Sequence, residues 1–217
     1  MSKNEIPRIA RKVLYEVLGE SGSILYSSHE TLIAGDVYVL GFNPGGDGGN
    51  PVELSIDSML TNTTNAYLDE SWKNHNGTWD NGAAPLQKRI QWLLEGIGLN
   101  PRNVCASNLI FLQSRAAQGI NYSLAEKCWP VHEAILNIVK PKLIIAFGNS
   151  SVSPYGYLHS MLGGKEERFP SGHGNWSVKG FTCQINDRAV YVAGLPHLSR
   201  YSPIGKNKVI EWLSKKI

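Results

Sequence analysis

Cysteines and long apolar runs are scarce in this sequence, and their scarcity excludes several classes of protein. The 217 residues include three cysteines without a CxxC spacing, which excludes a disulfide framework and a four-cysteine metal site. We expect these cysteines to be buried, reduced thiols of a cytoplasmic protein. The longest apolar runs, residues 37–40 and 143–147, are too short to span a bilayer, and the first seven residues lack the apolar core of a signal peptide.

Charge is also modest, and its distribution is more informative than its total. The chain has 21 basic and 18 acidic residues, and the net charge of +3 is too weak to indicate a nucleic-acid partner by itself. Residues 36–83 hold seven acids and one base, a net charge of −6, whereas residues 197–217 hold five bases and one acid, a net charge of +4. The length and the 42% hydrophobic content predict a single globular domain over residues 1–217.

Apolar patterning predicts helices that alternate with short buried strands. Helices are expected over residues 4–19, from about residue 53, and over 85–97, 123–139, 150–162 (broken near Pro154) and 204–217. Strands are expected over 36–42, 103–111 and 141–148, followed by a hairpin or a strand pair of residues 178–185 and 189–193. Ser123 and Glu126 have the spacing of a capping box. This alternation predicts an α/β fold whose parallel sheet is covered by helices on both faces.

Polar residues follow three of the predicted strands at the point where each strand ends. They are the run Gly41-Phe-Asn-Pro-Gly-Gly46, the pair Ser107-Asn108, and the run Gly194-Leu-Pro-His-Leu-Ser-Arg-Tyr201. In open α/β sheets, ligands bind beyond the carboxyl ends of the strands. We therefore expect these three segments to form one site.

Nucleotide and zinc sites fit these residues poorly. A phosphate loop needs a lysine after its last glycine, where this chain has Asn50-Pro51, and Pro44 has no N–H to offer a pyrophosphate. Asp47 would repel phosphate as well. The six histidines are scattered without an HExxH pattern, and Cys105 lies in a buried strand, where cysteine is more often core than nucleophile. We expect neither a cofactor nor a metal.

Taken together, the strand-end segments resemble the motifs of the uracil-DNA glycosylase superfamily. Residues 41–45 are similar to its first motif, in the form closest to the mismatch-specific uracil/thymine and single-strand-selective uracil glycosylases. Residues 141–148 resemble its third strand, and His197-Leu-Ser199 resembles its His-Pro-Ser motif. Asn108 ends the second strand, where the superfamily places its base-reading asparagine. The resemblance covers about residues 36–202 and implies a three-layer α/β/α sandwich with a short, mainly parallel central sheet.

The resemblance assigns catalytic roles to Asn43 and His197 and base binding to Asn108, Phe42 and Gly41. Asn43 would orient the attacking water through its carbonyl oxygen, and because an amide cannot act as a general base, catalysis should be slower than with aspartate. His197 would donate a hydrogen bond to O2 of the departing base. The amide of Asn108 matches N3–H and O4 of uracil, whereas cytosine presents the reverse pattern.

Contacts to DNA are expected from the glycine loop and from the last motif. The backbone N–H groups of Gly45 and Gly46 would bind the base or a phosphate. The Ser199 hydroxyl would bind a phosphate, and the Arg200 guanidinium would pair with a phosphate or enter the groove. Tyr201 lies where relatives often carry a wedge residue, or it would stack in the gap left by a flipped base. The plain alternative is a buried tyrosine at a loop end.

Two features depart from the family pattern. Leu198 replaces the proline of the last motif. The aromatic residue that would stack on the base is not assigned, and the candidates are Tyr67, Trp72 and Trp79. These residues lie in the region of residues 36–83, whose net charge of −6 opposes DNA binding.

These features predict a monofunctional DNA glycosylase that hydrolyses the N-glycosidic bond of uracil or a related damaged pyrimidine. No lysine of the motifs is placed as a Schiff-base nucleophile, so the product would be an abasic site. The alternative is a diverged, non-catalytic nucleoside- or nucleic-acid-binding module on the same fold. A third hypothesis, that the protein is a small-molecule hydrolase on a flavodoxin-like sheet, rests on fold analogy alone. The expected partner is single- or double-stranded DNA, and we expect a monomer without membrane contact or a metal cluster.

Overall fold

The fold is organised around a central mixed sheet. The computed structural model describes residues 1–74, 77–116 and 119–217. Its helices are α1 (Ile6–Val13), α2 (Val52–Ser58), α3 (Pro85–Gly96), α4 (Leu124–Val139), α5 (Pro154–Leu162) and α6 (Asn207–Ser214). Its strands are β1 (Val37–Gly41), β2 (Lys73–Asn74), β3 (Gly77–Thr78), β4 (Cys105–Asn108), β5 (Leu143–Phe147), β6 (Glu167–Pro170), β7 (Ser177–Ile185) and β8 (Arg188–Leu195).

The central sheet has six strands in the order β4-β1-β5-β8-β7-β6, and β2 pairs with β3 in a separate ribbon. Strands β4, β1, β5 and β8 run parallel, while β7 and β6 continue the sheet in antiparallel fashion. The expectation of a mainly parallel sheet is therefore confirmed. The sequence patterning missed β6, because this short strand is mostly exposed and lacks an apolar alternation.

Helices cover both faces of the sheet and divide the core into two parts. Tyr38 and Leu40 of β1 pack on one face with residues of α1, α2, α4 and α5. Val37 and Val39 of the same strand pack on the opposite face with residues of α3 and α6. Successive strand residues point to opposite faces, so the uninterrupted apolar run of β1 requires cover on both sides. The three-layer α/β/α sandwich is confirmed.

Several predicted elements differ in detail from the structure. The helix expected over residues 4–19 is interrupted, because α1 is flanked by separate 3₁₀ turns, Lys3–Glu5 and Tyr15–Val17. The capping box at Ser123 is wrong, because its hydroxyl donates to Asn121 Oδ1 at 2.8 Å and does not cap α4. The hairpin of β7 and β8 is confirmed, and Asn186 and Asp187 adopt the left-handed conformation at its two-residue turn.

The cysteines behave as the sequence predicts. All three are free and buried. Burial raises the pKa of the Cys105 thiol to about 11, which keeps it in the unreactive thiol form. Within the described ranges, no helix combines the length and apolar character needed to cross a membrane.

The register of the sheet brings the predicted site segments to one edge. Gly41 at the end of β1 lies directly beside Asn108 at the end of β4. Strand β8 ends at Leu195, two residues before His197. Because these strands are parallel, Asn43, Asn108 and His197 all follow carboxyl ends at the same edge of the sheet.

A buried histidine links the sheet to α4 beneath this edge. His132 is fully buried, accepts a hydrogen bond from the Tyr38 hydroxyl at Nδ1 (2.9 Å) and donates from Nε2 to the Leu109 carbonyl (3.1 Å). Burial lowers the pKa of His132 to about 4, despite the opposing effect of the backbone hydrogen bonds. The neutral imidazole is therefore a structural member of the core.

Acid should destabilise the fold through His132. The native state binds this proton only near pH 4, whereas the unfolded chain binds it near pH 6.5, so stability falls as the pH drops through this window. The shift corresponds to about 3 kcal/mol of unfolding free energy lost by pH 4. Urea unfolding at several pH values should show this loss in the wild type and a smaller one in His132→Gln. An equal pH dependence in both proteins would contradict the assignment.

Candidate active site

A cavity of about 580 Å³ lies at the carboxyl edge of the parallel strands. Asn43, Asn108 and His197 all line it, together with Gly41 and Phe42. Its volume is in the range of pockets that bind small molecules and cofactors. The structure thus brings the residues predicted for catalysis and base binding into contact with a single space.

Asn108 lines this cavity and carries a side-chain donor, the buried Nδ2, that is unpaired within the described part of the chain. Its side chain is 4% exposed, and Nδ2 has no hydrogen-bond partner among the described residues. Leaving a buried amide donor unpaired costs about 1–3 kcal/mol. A bound acceptor, such as a carbonyl oxygen of a heterocycle, would relieve this cost.

Gly41 is required by the close approach of Asn108. The two residues are paired in the sheet, and a Cβ built on Gly41 would overlap Asn108 Oδ1. The glycine therefore makes room for the Asn108 amide against the strand, while its predicted contact with a base stays a prediction.

Gly41→Ala should destabilise the protein by about 1–3 kcal/mol, because the added methyl group overpacks a filled site. The expected loss in melting temperature is about 2–4 °C for each kcal/mol. In an Asn108→Ala background the overlapping oxygen is gone, so the same substitution should cost much less. Thermal melting of both single variants, the double variant and the control Gly35→Ala, where the new Cβ meets nothing, checks this. An equal cost in both backgrounds would contradict it.

The amide of Asn43 is held in one orientation by the loop that follows β4. Its Nδ2 donates to the carbonyls of Pro44 (2.9 Å) and Leu112 (3.2 Å) and to Ser114 Oγ (2.9 Å). Within the described residues Oδ1 accepts no hydrogen bond. Three acceptors on the nitrogen thus leave the carbonyl oxygen for a ligand or water in the cavity.

The tautomer of His197 follows from its contacts with Ser199. The backbone N–H of Ser199 donates to His197 Nδ1 at 3.2 Å, and the Ser199 hydroxyl lies 2.8 Å from the same nitrogen. Because Nδ1 must offer a lone pair to an N–H donor, the proton of the neutral ring is on Nε2. The geometry therefore provides an Nε2–H donor at the cavity.

The surroundings of the His197 imidazole favour its neutral form. Its partial burial, followed by the positive charge of Arg200, lowers the pKa of His197 below its ordinary value. The ring is nevertheless open to the cavity, where its edge lies over Gly148. A neutral donor in a partly desolvated site is suited to stabilising negative charge as it develops on a leaving group.

Aromatic rings supply apolar surface to the cavity. Phe42 lines it and stacks on Tyr122, with ring centroids 6.1 Å apart. Of the three aromatic residues left open by the sequence, Tyr67 and Trp72 line the cavity and Trp79 does not. Their rings meet edge to face at 6.1 Å, and the Trp72 indole donates to a carboxylate oxygen of Glu70 at 3.1 Å. Trp72 is thus oriented at the cavity wall.

The glycine loop after β1 is held by hydrogen bonds to Gln113, a residue that the sequence analysis did not identify. Gln113 donates from Nε2 to the Gly45 carbonyl at 2.7 Å and accepts at Oε1 from the Gly49 N–H at 2.8 Å. Gly45 and Gly46 line the cavity, and Gly46 has a positive φ of 89°. The predicted DNA contacts of both glycines stay predictions, on a loop held in place by Gln113.

In the last motif, residues 197–201, His197 lines the cavity and Tyr201 is buried in the core. Ser199 and Arg200 are exposed beside His197, and Ser199 is occupied in positioning the imidazole. Tyr201 is 0% exposed, and its hydroxyl donates to the Ser171 carbonyl at 2.8 Å. The wedge and stacking interpretations of Tyr201 are therefore wrong, because the ring fills the core, and the alternative of a buried tyrosine at a loop end is the one observed.

The acidic character of residues 36–83 is largely balanced by distant bases. Four of its seven acids form ion pairs with bases outside the segment: Asp36 with Lys142, Asp47 with Arg115, Asp57 with Arg11, and Asp69 with Arg102. These partners reduce the net charge of the set from −6 to −2. The electrostatic objection to a DNA partner is correspondingly weaker than the sequence suggested.

Other side chains of the cavity gave no sequence signal. Tyr26 and Leu86 line it, but neither belongs to a motif that the sequence singles out. Throughout the described part of the chain, no three or more His, Cys, Asp or Glu side chains are grouped so that they could hold a metal ion.

The chain matches no protein-family model and no curated protein.

Proposed function

We propose that this protein is a monofunctional DNA glycosylase that hydrolyses the N-glycosidic bond of uracil or a related damaged pyrimidine. The observation that carries the proposal is the convergence of Asn43, Asn108 and His197 on one cavity at the carboxyl edge of the sheet. Each of them presents a free polar atom of the type that this hydrolysis requires.

Base recognition is the role supported for Asn108. An extruded pyrimidine has to regain the hydrogen bonds that it loses on leaving the stack. The unpartnered Nδ2 of Asn108 would donate to O4 of uracil, and Oδ1 would accept from N3–H. Cytosine would place its amino group against this donor and leave buried polar groups unpaired, which disfavours it.

Hydrolysis is the role supported for His197 and Asn43. The reaction breaks the bond between C1′ of the sugar and N1 of the base, and the bonding electron pair leaves with the base. The Nε2–H of His197 would stabilise the negative charge on O2. The Oδ1 of Asn43 would hold a water against C1′, and the proton released by this water passes to solvent, because an amide does not accept it.

The test is release of free base from uracil-containing oligonucleotides, single-stranded and duplex. The wild type should release uracil, and Asn43→Ala and His197→Ala should lose this activity. The exposed residues Asn4 and His173 lie outside the cavity, so Asn4→Ala and His173→Ala are matched controls that should keep it. No release above background, or catalytic variants equal to the wild type, would overturn the proposal.

A borohydride experiment separates the monofunctional reaction from a lyase. Lys73 lines the cavity, although it belongs to none of the motifs. A monofunctional enzyme forms no Schiff base, so borohydride should trap no covalent complex with the oligonucleotide. A trapped complex that Lys73→Ala abolishes would replace the hydrolytic mechanism by one that uses this amine.

The second candidate is a non-catalytic nucleoside- or nucleic-acid-binding module. It is favoured by Asn43 itself, since no carboxylate stands at this position to take a proton from water. Binding of a uracil-containing oligonucleotide without base release would support it. The affinity should then fall with salt concentration in proportion to the number of phosphate contacts.

A further inference from the structure

A second cavity of about 770 Å³ adjoins the candidate active site. It lies between residues 22–26, which run along the outer edge of β4, and the segment of residues 54–64 that contains the end of α2. We call it the β4-edge groove. Tyr26, Glu70 and Gln113 line both the groove and the candidate active site, so the two spaces adjoin at these residues.

The strand order fixes which side of a bound pyrimidine faces this groove, given the proposed function. His197 follows β8 and Asn108 ends β4, and β5 and β1 lie between these strands. If His197 binds O2 and Asn108 binds N3–H and O4, the ring spans from the β8 side to the β4 side. Because C5 is opposite C2 in the pyrimidine ring, a substituent on C5 points beyond Asn108 toward the β4-edge groove.

Three of the hydroxyl groups that line the groove are arranged to accept hydrogen bonds. Ser23 donates to the Leu25 carbonyl (3.1 Å), Ser58 to the Leu54 carbonyl (2.8 Å) and Thr61 to the Ser58 carbonyl (3.2 Å). Each hydroxyl proton is therefore used, while the oxygen keeps lone pairs for a ligand.

Amide groups of the groove supply the complementary donors. Asn62 accepts the Thr64 N–H at Oδ1 (3.0 Å), which directs that oxygen to the backbone and leaves Nδ2 to donate. Asn50 also lines the groove. A ligand rich in hydroxyl groups, each of which both donates and accepts, matches this combination.

The charge of the groove excludes an anionic ligand. Among the described residues that line it, none is a lysine or an arginine. Two carboxylates are present, Asp57, which pairs with Arg11, and Glu70. A DNA phosphate would meet repulsion here without a compensating cation, so the groove is suited to an uncharged group.

We propose that the β4-edge groove binds an uncharged, hydroxyl-rich group of hexose size that is carried on C5 of the extruded pyrimidine. The inference rests on the proposed function and narrows its substrate class to pyrimidines in DNA whose C5 carries an uncharged, hydroxyl-rich group of hexose size. The reaction is unchanged, since C1′–N1 breaks, the water oxygen joins C1′, and the intact substituted base leaves.

The test compares base release from two otherwise identical single-stranded oligonucleotides, one with uracil and one with 5-(β-glucosyloxymethyl)uracil. Several additional hydrogen bonds should raise kcat/KM for the glucosylated base at least about tenfold over uracil. Thr61→Trp places a large ring in the groove and should abolish this preference while leaving uracil release intact. Thr63→Trp is the matched control, because Thr63 is exposed and does not line the groove.

The outcomes separate this inference from the proposed function. Release of uracil without release of the glucosylated base overturns the inference and leaves the proposed function standing. Equal kcat/KM values for both bases, unchanged by Thr61→Trp, overturn it as well. Release of neither base contradicts the proposed function, and the inference falls with it.

Discussion

Replacing His197 with alanine should slow uracil release by about 10²–10³-fold, the usual effect of removing one preorganised donor from a developing anion. The Nε2–H of His197 is the donor supported for O2 of the leaving base, and alanine leaves this charge to solvent. The binding of the oligonucleotide should change little, because the interaction strengthens only as the bond breaks. Single-turnover release and a binding titration, carried out on the same variant, separate the two effects.

The comparison with Ser199→Ala makes the His197 prediction sharper. Ser199→Ala removes the hydroxyl near Nδ1 but keeps the backbone N–H that fixes the tautomer. The loss should therefore be small, about fivefold, as for one neutral hydrogen bond. Because burial and the charge of Arg200 lower the pKa of His197 below its ordinary value, the ring is mainly neutral between pH 8 and pH 7, and the rate should be flat over this range. A Ser199→Ala loss as large as that of His197→Ala, or a rate that falls over this range, would contradict the assigned state of the ring.

Asn43→Asp should lower activity by about 10²-fold, although the sequence alone suggests that a carboxylate would improve catalysis. The reason is the environment of Nδ2, which donates to the carbonyls of Pro44 and Leu112 and to Ser114. A carboxylate oxygen at this position would face two carbonyl oxygens without a hydrogen to offer. It should turn away from them and lose the orientation that holds the water.

Stability provides an independent measurement of the same substitution. Asn43→Asp should cost about 2 kcal/mol at pH 7, because acceptors of a half-buried donor are left unpaired. The melting temperature should fall by about 4–8 °C. Repulsion favours the protonated carboxyl in the native state, so the difference from the wild type should shrink as the pH falls toward 4. A variant as stable as the wild type and faster in base release would show that Nδ2 does not position this side chain.

The parts of the fold that could be predicted are those that depend on short stretches of sequence. The continuous apolar runs of β1 and β5 require cover on both faces, and they predict a buried parallel sheet whatever the rest of the chain does. The turn at Asn186-Asp187 is equally local, because both residue types tolerate the left-handed conformation. Strand β6 has no such pattern, since it forms only by pairing with β7 at an exposed edge.

The candidate site shows the same division. Asn43, Asn108 and His197 were found because each follows a strand end, and parallel strands bring their carboxyl ends together. Gln113 was not found, because its role depends on reaching the glycine loop from a segment 64 to 68 residues away. The wedge role predicted for Tyr201 was wrong, because the position of a residue in a motif does not show whether its side chain points into the core or into solvent.

Ion pairs explain why counting charges along the sequence overestimated the negative charge of residues 36–83. The acids of residues 36–83 appear as an unbalanced cluster in sequence, yet Asp47 and Asp69 meet Arg115 and Arg102 in space. Sequence distance hides such pairs, because their partners come from other elements. The remaining carboxylate at the cavity, Glu70, is the one whose charge bears directly on ligand choice.

The most direct test of the central claim, that these side chains form one pyrimidine site, observes the side-chain amide of Asn108 by ¹⁵N NMR. The probe is a single-stranded oligonucleotide that contains 2′-fluoroarabinouridine, whose glycosidic bond resists hydrolysis. Because Nδ2 has no partner among the described residues, its proton resonances should move downfield when uracil binds, and much less with the matching cytosine oligonucleotide. An oligonucleotide that binds without moving these resonances, or that moves them equally with either base, would contradict the claim.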